Sequence, residues 1–247
     1  MARTFSATHR AMDTAVDAVA RALEVAPATL VCVVGQTASG KTELATRVAE
    51  RVGGEVVTAD SVQIYREFDV GSGKPTAEER ARAPHHLVST LDPMSPCDAS
   101  RFVRLADEVI ADVRARGRVP VVCGGTFLWV KALVQGLAAA PPANEEARER
   151  HRLLVEREGR AALHAVLAKI DPESAARLHP NDVLRVSRAL EVFETSGTKL
   201  SELHARHAFR DARHSPKLFA IPPDPEELPG RIGRRVQTFL AAGCVAE

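Results

Sequence analysis

Gly35-Gln36-Thr37-Ala38-Ser39-Gly40-Lys41-Thr42 is the stretch on which the fold turns. It meets the P-loop pattern G-x-x-x-x-G-K-[ST] at every fixed position. Before it lies the apolar run Thr29-Leu30-Val31-Cys32-Val33-Val34, the signature of a strand buried on both faces. After it come Leu44, Val48 and Val52 at helical spacing. In that context Gly35 and Gly40 let the backbone turn tightly, and successive N–H groups at the helix start converge on an anion. Lys41 adds a full positive charge and Thr42 a hydroxyl suited to a metal ion. The stretch therefore predicts a diphosphate or triphosphate site over Gly35, Gln36, Thr37, Ala38, Ser39, Gly40, Lys41 and Thr42.

Working outward, Gly53-Gly54 closes the helix and residues 55–60 form a second strand, with Asp60 at its carboxyl end. In open α/β sheets ligands bind at that edge. Asp60 is either a general base or a metal-site carboxylate, and its position alone leaves both open. Ser100 is a candidate cap for a helix with a Phe102, Leu105, Val109 and Val113 stripe that ends at Gly117. Val119 to Cys123 is a third buried strand, closed by Gly124-Gly125-Thr126, and a helix runs from about Phe127 to Gln135. His85 and His86 are adjacent, point different ways and make a poor metal pair, so they read as loop or strand-edge residues. Strand and helix in alternation predict an α/β fold, a P-loop NTPase-like parallel sheet flanked by helices.

From Pro141 the chain becomes charged, rich in Arg and His, and helical in period, which predicts an inserted helical subdomain. Its helix from Asp182 to Thr195 places Val183, Val186, Leu190 and Phe193 on one face and Arg185 and Arg188 opposite. By spacing alone, those arginines form a solvated face. Lys217 to Ile221 returns to a core strand ended by Pro222-Pro223, and residues 226–247 are helical, with Leu228, Ile232, Val236, Phe239 and Leu240 on one side. The organisation is an N-terminal arm over 1–27 (a short helix or loose segment), a P-loop core over 28–140, the helical insertion over 141–216 and a return to the core over 217–247.

The 247 residues carry a net charge of +1, so RNA binding has to come from a local patch. Sparse aromatics argue against a base-stacking sheet. Cys32, Cys97, Cys123 and Cys244 lack zinc or redox spacing and read as inert thiols of a reducing compartment. No run is long enough to span a bilayer, so a cytoplasmic protein is expected.

Together, several motifs resemble the tRNA dimethylallyltransferases (isopentenyl-tRNA transferases). They are the 35–42 loop, Thr58-Ala59-Asp60-Ser61-Val62-Gln63-Ile64-Tyr65, Lys74-Pro75-Thr76, Pro84-His85-His86-Leu87, Gly124-Gly125-Thr126, His179-Pro180-Asn181-Asp182 and Arg185-Val186-Ser187-Arg188-Ala189-Leu190-Glu191. The likeness covers about residues 29–247, in order. It implies transfer of a dimethylallyl group from dimethylallyl diphosphate to the N6 amine of the adenosine just 3′ of the anticodon (position 37), in tRNAs reading codons that start with U. It also implies that Thr37 to Thr42 cradle the diphosphate with Mg²⁺ near Thr42, and that Asp60 is the catalytic base. Lys41 and Thr126 act on the reacting diphosphate, with Thr126 near the tRNA as well. Asp60, Ser61, Val62 and Gln63 contact the target nucleotide, and Arg148, Leu184, Arg185, Val186, Ser187 and Arg188 contact the tRNA. Leu184 stands where the family has a glutamine. The expected partners are the tRNA anticodon stem-loop and dimethylallyl diphosphate, with no membrane and a monomeric protein.

Relatives of this kind run on past residue 247 into a Gly-Tyr-bearing loop and a basic helical segment, so weaker tRNA binding than in such relatives is expected. Three rival readings remain: an adenylate isopentenyltransferase acting on free adenine nucleotides, a small-molecule P-loop kinase, and a non-catalytic tRNA-binding remnant.

Overall fold

The computed structural model describes residues 2–222 and 224–247, so Met1 of the N-terminal arm and Pro223 of the expected strand end lie outside the described residues. In chain order the first elements are α1 (Ala2–Val25), β1 (Leu30–Gly35), α2 (Lys41–Val52), β2 (Gly54–Thr58), α3 (Ala77–Arg82), β3 (His85–His86), α4 (Ala99–Ala115), β4 (Val119–Gly124) and α5 (Phe127–Gln135). Five helices follow: α6 (Glu145–Glu158), α7 (Arg160–Ile170), α8 (Pro172–Arg177), α9 (Val183–Ser196) and α10 (Leu200–His207). Last come β5 (Pro216–Ile221) and α11 (Leu228–Ala241). The chain forms two compact units, Met1–Gly136 with Ala212–Glu247, and Leu137–Asp211.

The first unit is built on a five-stranded sheet in the order β3-β2-β4-β1-β5, with every pairing parallel. Val31 pairs with Val121 and Val56 with Val121, so β4 lies between the P-loop strand and the Asp60 strand. This order brings the carboxyl ends of β1, β2 and β4 side by side, which is where such sheets bind ligands. One face buries Leu30, Cys32, Val57, Val122 and Leu133 with a stacked Phe102–Trp129 pair, whose ring centroids are 4.5 Å apart. The other buries Val31, Val33, Val121, Leu44 and Val48.

Four expectations change in this unit. The stretch read as an arm holds the 24-residue helix α1. Its Val16, Val19, Ala20 and Leu23 recur at helical spacing and are buried against the sheet, so it belongs to the core. Asp98, not Ser100, caps α4 by accepting from the Arg101 N–H at 2.8 Å, and the buried stripe is Phe102, Ala106, Ile110 and Val113. Leu105 and Val109 are only partly buried. β5 pairs with β1 alone and is an edge strand rather than a core one, leaving Leu218 55% exposed. In α11 the expected apolar stripe forms without covering: Ile232, Val236 and Leu240 are all exposed.

The second unit is helical. Leu163, Leu167, Ala175, Val186, Ala189 and Leu190 form its core. Helix α9 starts at Asp182, whose carboxylate accepts from the Arg185 N–H, and stops at Gly197 at φ 69°. The helical unit spans Leu137–Asp211 rather than 141–216, and the segment from Ala212 belongs with the sheet unit, where the Leu30 N–H bonds Ser215 O at 2.8 Å.

Candidate active site

The P-loop leaves β1 at Gly35 and enters α2 through Gly40, which sits at φ 88° and ψ 14°. Ala38 also adopts a positive φ of 62°, which costs a residue with a side chain roughly 1 kcal/mol. Such alternation turns successive N–H groups into one concavity. Gly35 leaves room for the Ser39 hydroxyl: a Cβ would lie 2.5 Å from Ser39 Oγ and turn it aside. Ser39 Oγ is buried and has no hydrogen-bond partner among the described residues. Lys41 Nζ reaches back to Gln36 O at 3.4 Å.

Beside the loop, two turns interlock. After β2, Asp60 Oδ1 accepts from the Val62 N–H at 2.9 Å and the Gln63 N–H at 3.2 Å. Its Oδ2 takes no hydrogen bond from the described residues. After β4, the Thr126 N–H donates to Ala59 O at 3.3 Å and Thr126 Oγ1 accepts from the Ser61 N–H at 3.1 Å. Gly124 makes the close approach possible, since a Cβ there would lie 2.0 Å from Ala59 O. The Gln63 side chain turns inward and donates to Ser72 O and Gly73 O, while Ser61 and Val62 stay exposed.

Lys41, Thr42, Thr58, Asp60, Gln63, Pro75, His85, Cys123 and Gly124 line one small cavity at this edge. The sequence therefore located the P-loop cation, the P-loop hydroxyl and the carboxylate that share it. It did not single out His85, whose Nδ1 lies 2.8 Å from Ala83 O and whose Nε2 lies 3.4 Å from Thr46 Oγ1. Burial lowers the pKa of His85, favouring the neutral ring. Burial also pushes the Cys123 and Cys32 thiols up to about 12, so neither ionises readily. Among the described residues no group of three or more His, Cys, Asp or Glu could hold a metal by itself. The Thr42 hydroxyl and the Asp60 carboxylate are oxygen donors on the lining of the same cavity, the donor type that suits a magnesium ion.

In the helical unit the expected RNA contacts divide. Leu184 is 85% exposed, and the exposed Arg185 pairs with Asp182 at 3.0 Å. Val186 is fully buried, so its side chain cannot touch RNA and only the backbone there could. Arg188 does not share a free arginine face with Arg185: it donates to Pro141 O at 2.7 Å and pairs with Glu191 at 3.1 Å. Glu191 is completely buried, and it also receives Arg148 Nε at 3.3 Å and the Asn144 N–H. Ser187 Oγ lies 2.8 Å from His151 Nδ1, and Glu194 holds the other ring nitrogen at 3.0 Å. Glu191 and His151 were missed by sequence reasoning; the one available signal was a carboxylate lying among the apolar positions of α9.

Comparison with known proteins bears on the family of the chain. A family model described as IPP transferase matches residues 63–247, and one described as Isopentenyl transferase matches residues 28–85. The chain is 65% identical over 222 residues to a tRNA dimethylallyltransferase of Sorangium cellulosum, covering 90% of this chain and 71% of that protein. It is 45% identical to one of Myxococcus xanthus, covering 88% and 71%. Among solved structures, the full-length tRNA isopentenylpyrophosphate transferase of Bacillus halodurans matches with 36% identity and a TM-score of 0.58, covering 87% of this chain and 67% of that one. A eukaryotic dimethylallyltransferase acting on tRNA matches with 27% identity and a TM-score of 0.74, covering 88% and 54%. With the P-loop, the Asp60 turn and the helical unit all inside these matches, the chain belongs to the IPP transferase family, together with tRNA dimethylallyltransferases such as that of Sorangium cellulosum.

Proposed function

We propose that this chain moves the dimethylallyl group of dimethylallyl diphosphate to the exocyclic N6 amine of adenosine 37, just 3′ of the anticodon, in tRNAs reading codons that start with U. The observation that carries the reading is one cavity edge that holds both Lys41 and the carboxylate of Asp60. Donor activation and acceptor deprotonation can then meet there. The buried, unpartnered Ser39 hydroxyl is a donor lacking an acceptor, which a diphosphate oxygen supplies.

The reaction breaks an allylic C–O bond and forms a C–N bond. Negative charge grows on the departing diphosphate, where the loop N–H groups and Lys41 stabilise it. The Thr42 hydroxyl would hold Mg²⁺, which when bound would neutralise part of the charge on the departing diphosphate. The adenine amine is a weak nucleophile because its lone pair is delocalised into the ring. Asp60 keeps one oxygen in its own turn and has Oδ2 free to take the N6 proton, a contribution of about 10²–10⁴-fold for general base catalysis. Thr126 fixes the Ser61 turn against which the target base lies. The adenine leaves its stack at a cost of a few kcal/mol, offset in part by Arg185 and Arg148 on RNA phosphates. A monomer acting in the cytoplasm completes the reading; no helix among the described residues is long and apolar enough to cross a membrane.

The test is transfer of label from dimethylallyl diphosphate, with magnesium, to an unmodified anticodon stem-loop RNA bearing adenosine at that position. Free AMP and ATP with small-molecule acceptors are run alongside. Labelled RNA supports the proposal. Label appearing only on AMP would make the chain an adenylate isopentenyltransferase, and phosphoryl transfer from ATP would make it a kinase. RNA binding with no transfer would make it a tRNA-binding remnant.

A further inference from the structure

The loop after the Asp60 turn is strapped from a distant part of the chain. The N–H groups of Asp69, Val70 and Gly71 all point at the side-chain carboxylate of Glu247, at 2.5, 2.8 and 3.0 Å. Three successive backbone donors on one anion form a nest, and hydrogen bonds to a charged acceptor are the strong kind. The same bonds hold the Glu247 carboxyl below its ordinary pKa. Two residues further on, α11 meets the loop again. Gly73 sits at φ 60°, and a Cβ there would lie 1.9 Å from Arg235 Nη2 and 2.9 Å from Phe239 Cζ. Lys74 is almost fully buried and pairs with Asp69 at 2.6 Å.

The strapped loop in turn holds the site. Ser72 O and Gly73 O accept hydrogen bonds from the Gln63 side-chain amide, at 3.2 and 3.0 Å. The backbone N–H of that same Gln63 donates to Asp60 Oδ1. A continuous path of hydrogen bonds thus runs from Glu247 through residues 69–73 and Gln63 to the carboxylate proposed as base. Residues 66–69 and 71 are exposed and belong to no helix or strand; the Arg66 N–H bonds Leu91 O at 2.8 Å and Lys74 pairs with Asp69, while Glu247 takes the three successive N–H groups of 69–71.

We infer that Glu247 is a positioning residue for the transfer reaction, setting the Gln63–Asp60 turn through the 69–73 loop. This rests on the reading of Asp60 as base. In E247Q, one acceptor oxygen becomes an NH₂ that faces N–H donors, so the nest loses its anion at nearly constant shape.

The experiment compares the unsubstituted chain, E247Q, Q63L and the double variant. Amide hydrogen exchange at residues 62, 63 and 69–71 is measured together with transfer to the anticodon stem-loop RNA. The expected result is faster exchange at Val62 and Gln63 as well as at 69–71 in E247Q. kcat should fall roughly tenfold, because small displacements of a catalytic group are costly, with the donor KM within about twofold. In the Q63L background, E247Q should add little further loss, because the two act along one path. Faster exchange confined to residues 69–71, or losses that multiply in the double variant, would overturn the inference. If the unsubstituted chain transfers nothing, the proposed function fails, while the exchange at Val62 and Gln63 still decides whether Glu247 governs the turn.

Discussion

Thr126 Oγ1 accepts a hydrogen bond from the Ser61 backbone N–H at 3.1 Å, joining the turn after β4 to the turn after β2. The two residues are 65 positions apart in sequence, and only the β2-β4 adjacency makes them neighbours. The bond fixes the exposed side of the Asp60 turn, while Val62 and Gln63 fix its inner side.

Replacing Thr126 by Val removes the acceptor at nearly constant volume. Ser61 is exposed, so its N–H turns to water and stability should fall by no more than about 1 kcal/mol. Transfer should fall much further than stability, and T126S should restore most of it. Thermal melts read beside initial rates check this; a T126V enzyme as fast as the parent would remove Thr126 from the site.

Asp60→Asn separates the two roles open to that carboxylate. The asparagine carbonyl can still cap the turn through the Val62 and Gln63 N–H groups, so fold and donor binding should persist. Loss of the base should slow transfer by about 10²–10⁴-fold. Raising magnesium should not recover the rate. Recovery in excess magnesium would make Asp60 a metal ligand instead.

Much of this architecture was legible beforehand, for identifiable reasons. The P-loop, β1, β2 and β4 are local signals: continuous apolar runs ended by glycine, each positioned by its own sequence. What escaped depends on contacts between distant segments. Nothing local to Val16, Val19 and Leu23 says that a sheet face lies open to receive α1. β5 looks like a core strand from composition, yet the sheet ends with it. Arg185 and Arg188 share a spacing, but a fully buried Glu191 captures one of them and leaves the other to solvent. At the site, residue types were readable and partners were not. Asp60 could be picked from its place at a strand end, whereas its bond to the Gln63 N–H depends on how the following turn folds.

Lys41→Ala should abolish useful donor binding and leave the sheet intact. Among the described residues its ammonium donates a hydrogen bond to Gln36 O alone, so its loss leaves no buried charge unpaired. Calorimetric titration with dimethylallyl diphosphate should show the loss beside an unchanged melting curve. ATP should serve as a poor phosphoryl donor in both proteins; brisk ATP-dependent phosphorylation by the parent would refute the transferase reading.

Arg185 and Arg188 should behave differently. Arg185 is exposed and, among the described residues, its guanidinium is held only by Asp182, so R185A should leave stability nearly unchanged. It should weaken RNA binding and lower the slope of log affinity against log salt by close to one unit, the share of one phosphate. R188A instead removes a cation from the fully buried Glu191 and a donor from Pro141 O, and should cost about 2 kcal/mol of stability. Chemical denaturation and salt-dependent RNA titrations of both variants distinguish them. Equal effects on stability would mean that Glu191 does not hold Arg188 in solution.

The last prediction concerns acid. Glu55, at the start of β2, is buried and receives both Arg116 guanidinium nitrogens and His86 Nε2. The Arg116 bonds are the main cause that lowers its pKa from 4.5 to about 2, with His86 adding to the shift. In the unfolded chain the carboxyl regains its ordinary value. Between pH 4.5 and about 2 the unfolded state therefore binds the proton that the folded state refuses, and stability falls as the pH drops through that window. Above it the contribution is complete; below about pH 2 it is gone. Glu55→Gln should cost about 2 kcal/mol at neutral pH, the scale of hydrogen bonds to a charged group. Urea denaturation of parent and variant at pH 7 and at about pH 3 makes the comparison, and subtracting one from the other cancels the remaining carboxylates. The gap should narrow at the acidic point. A gap that stays constant would mean that the Glu55–Arg116 pair contributes nothing pH-dependent to the fold.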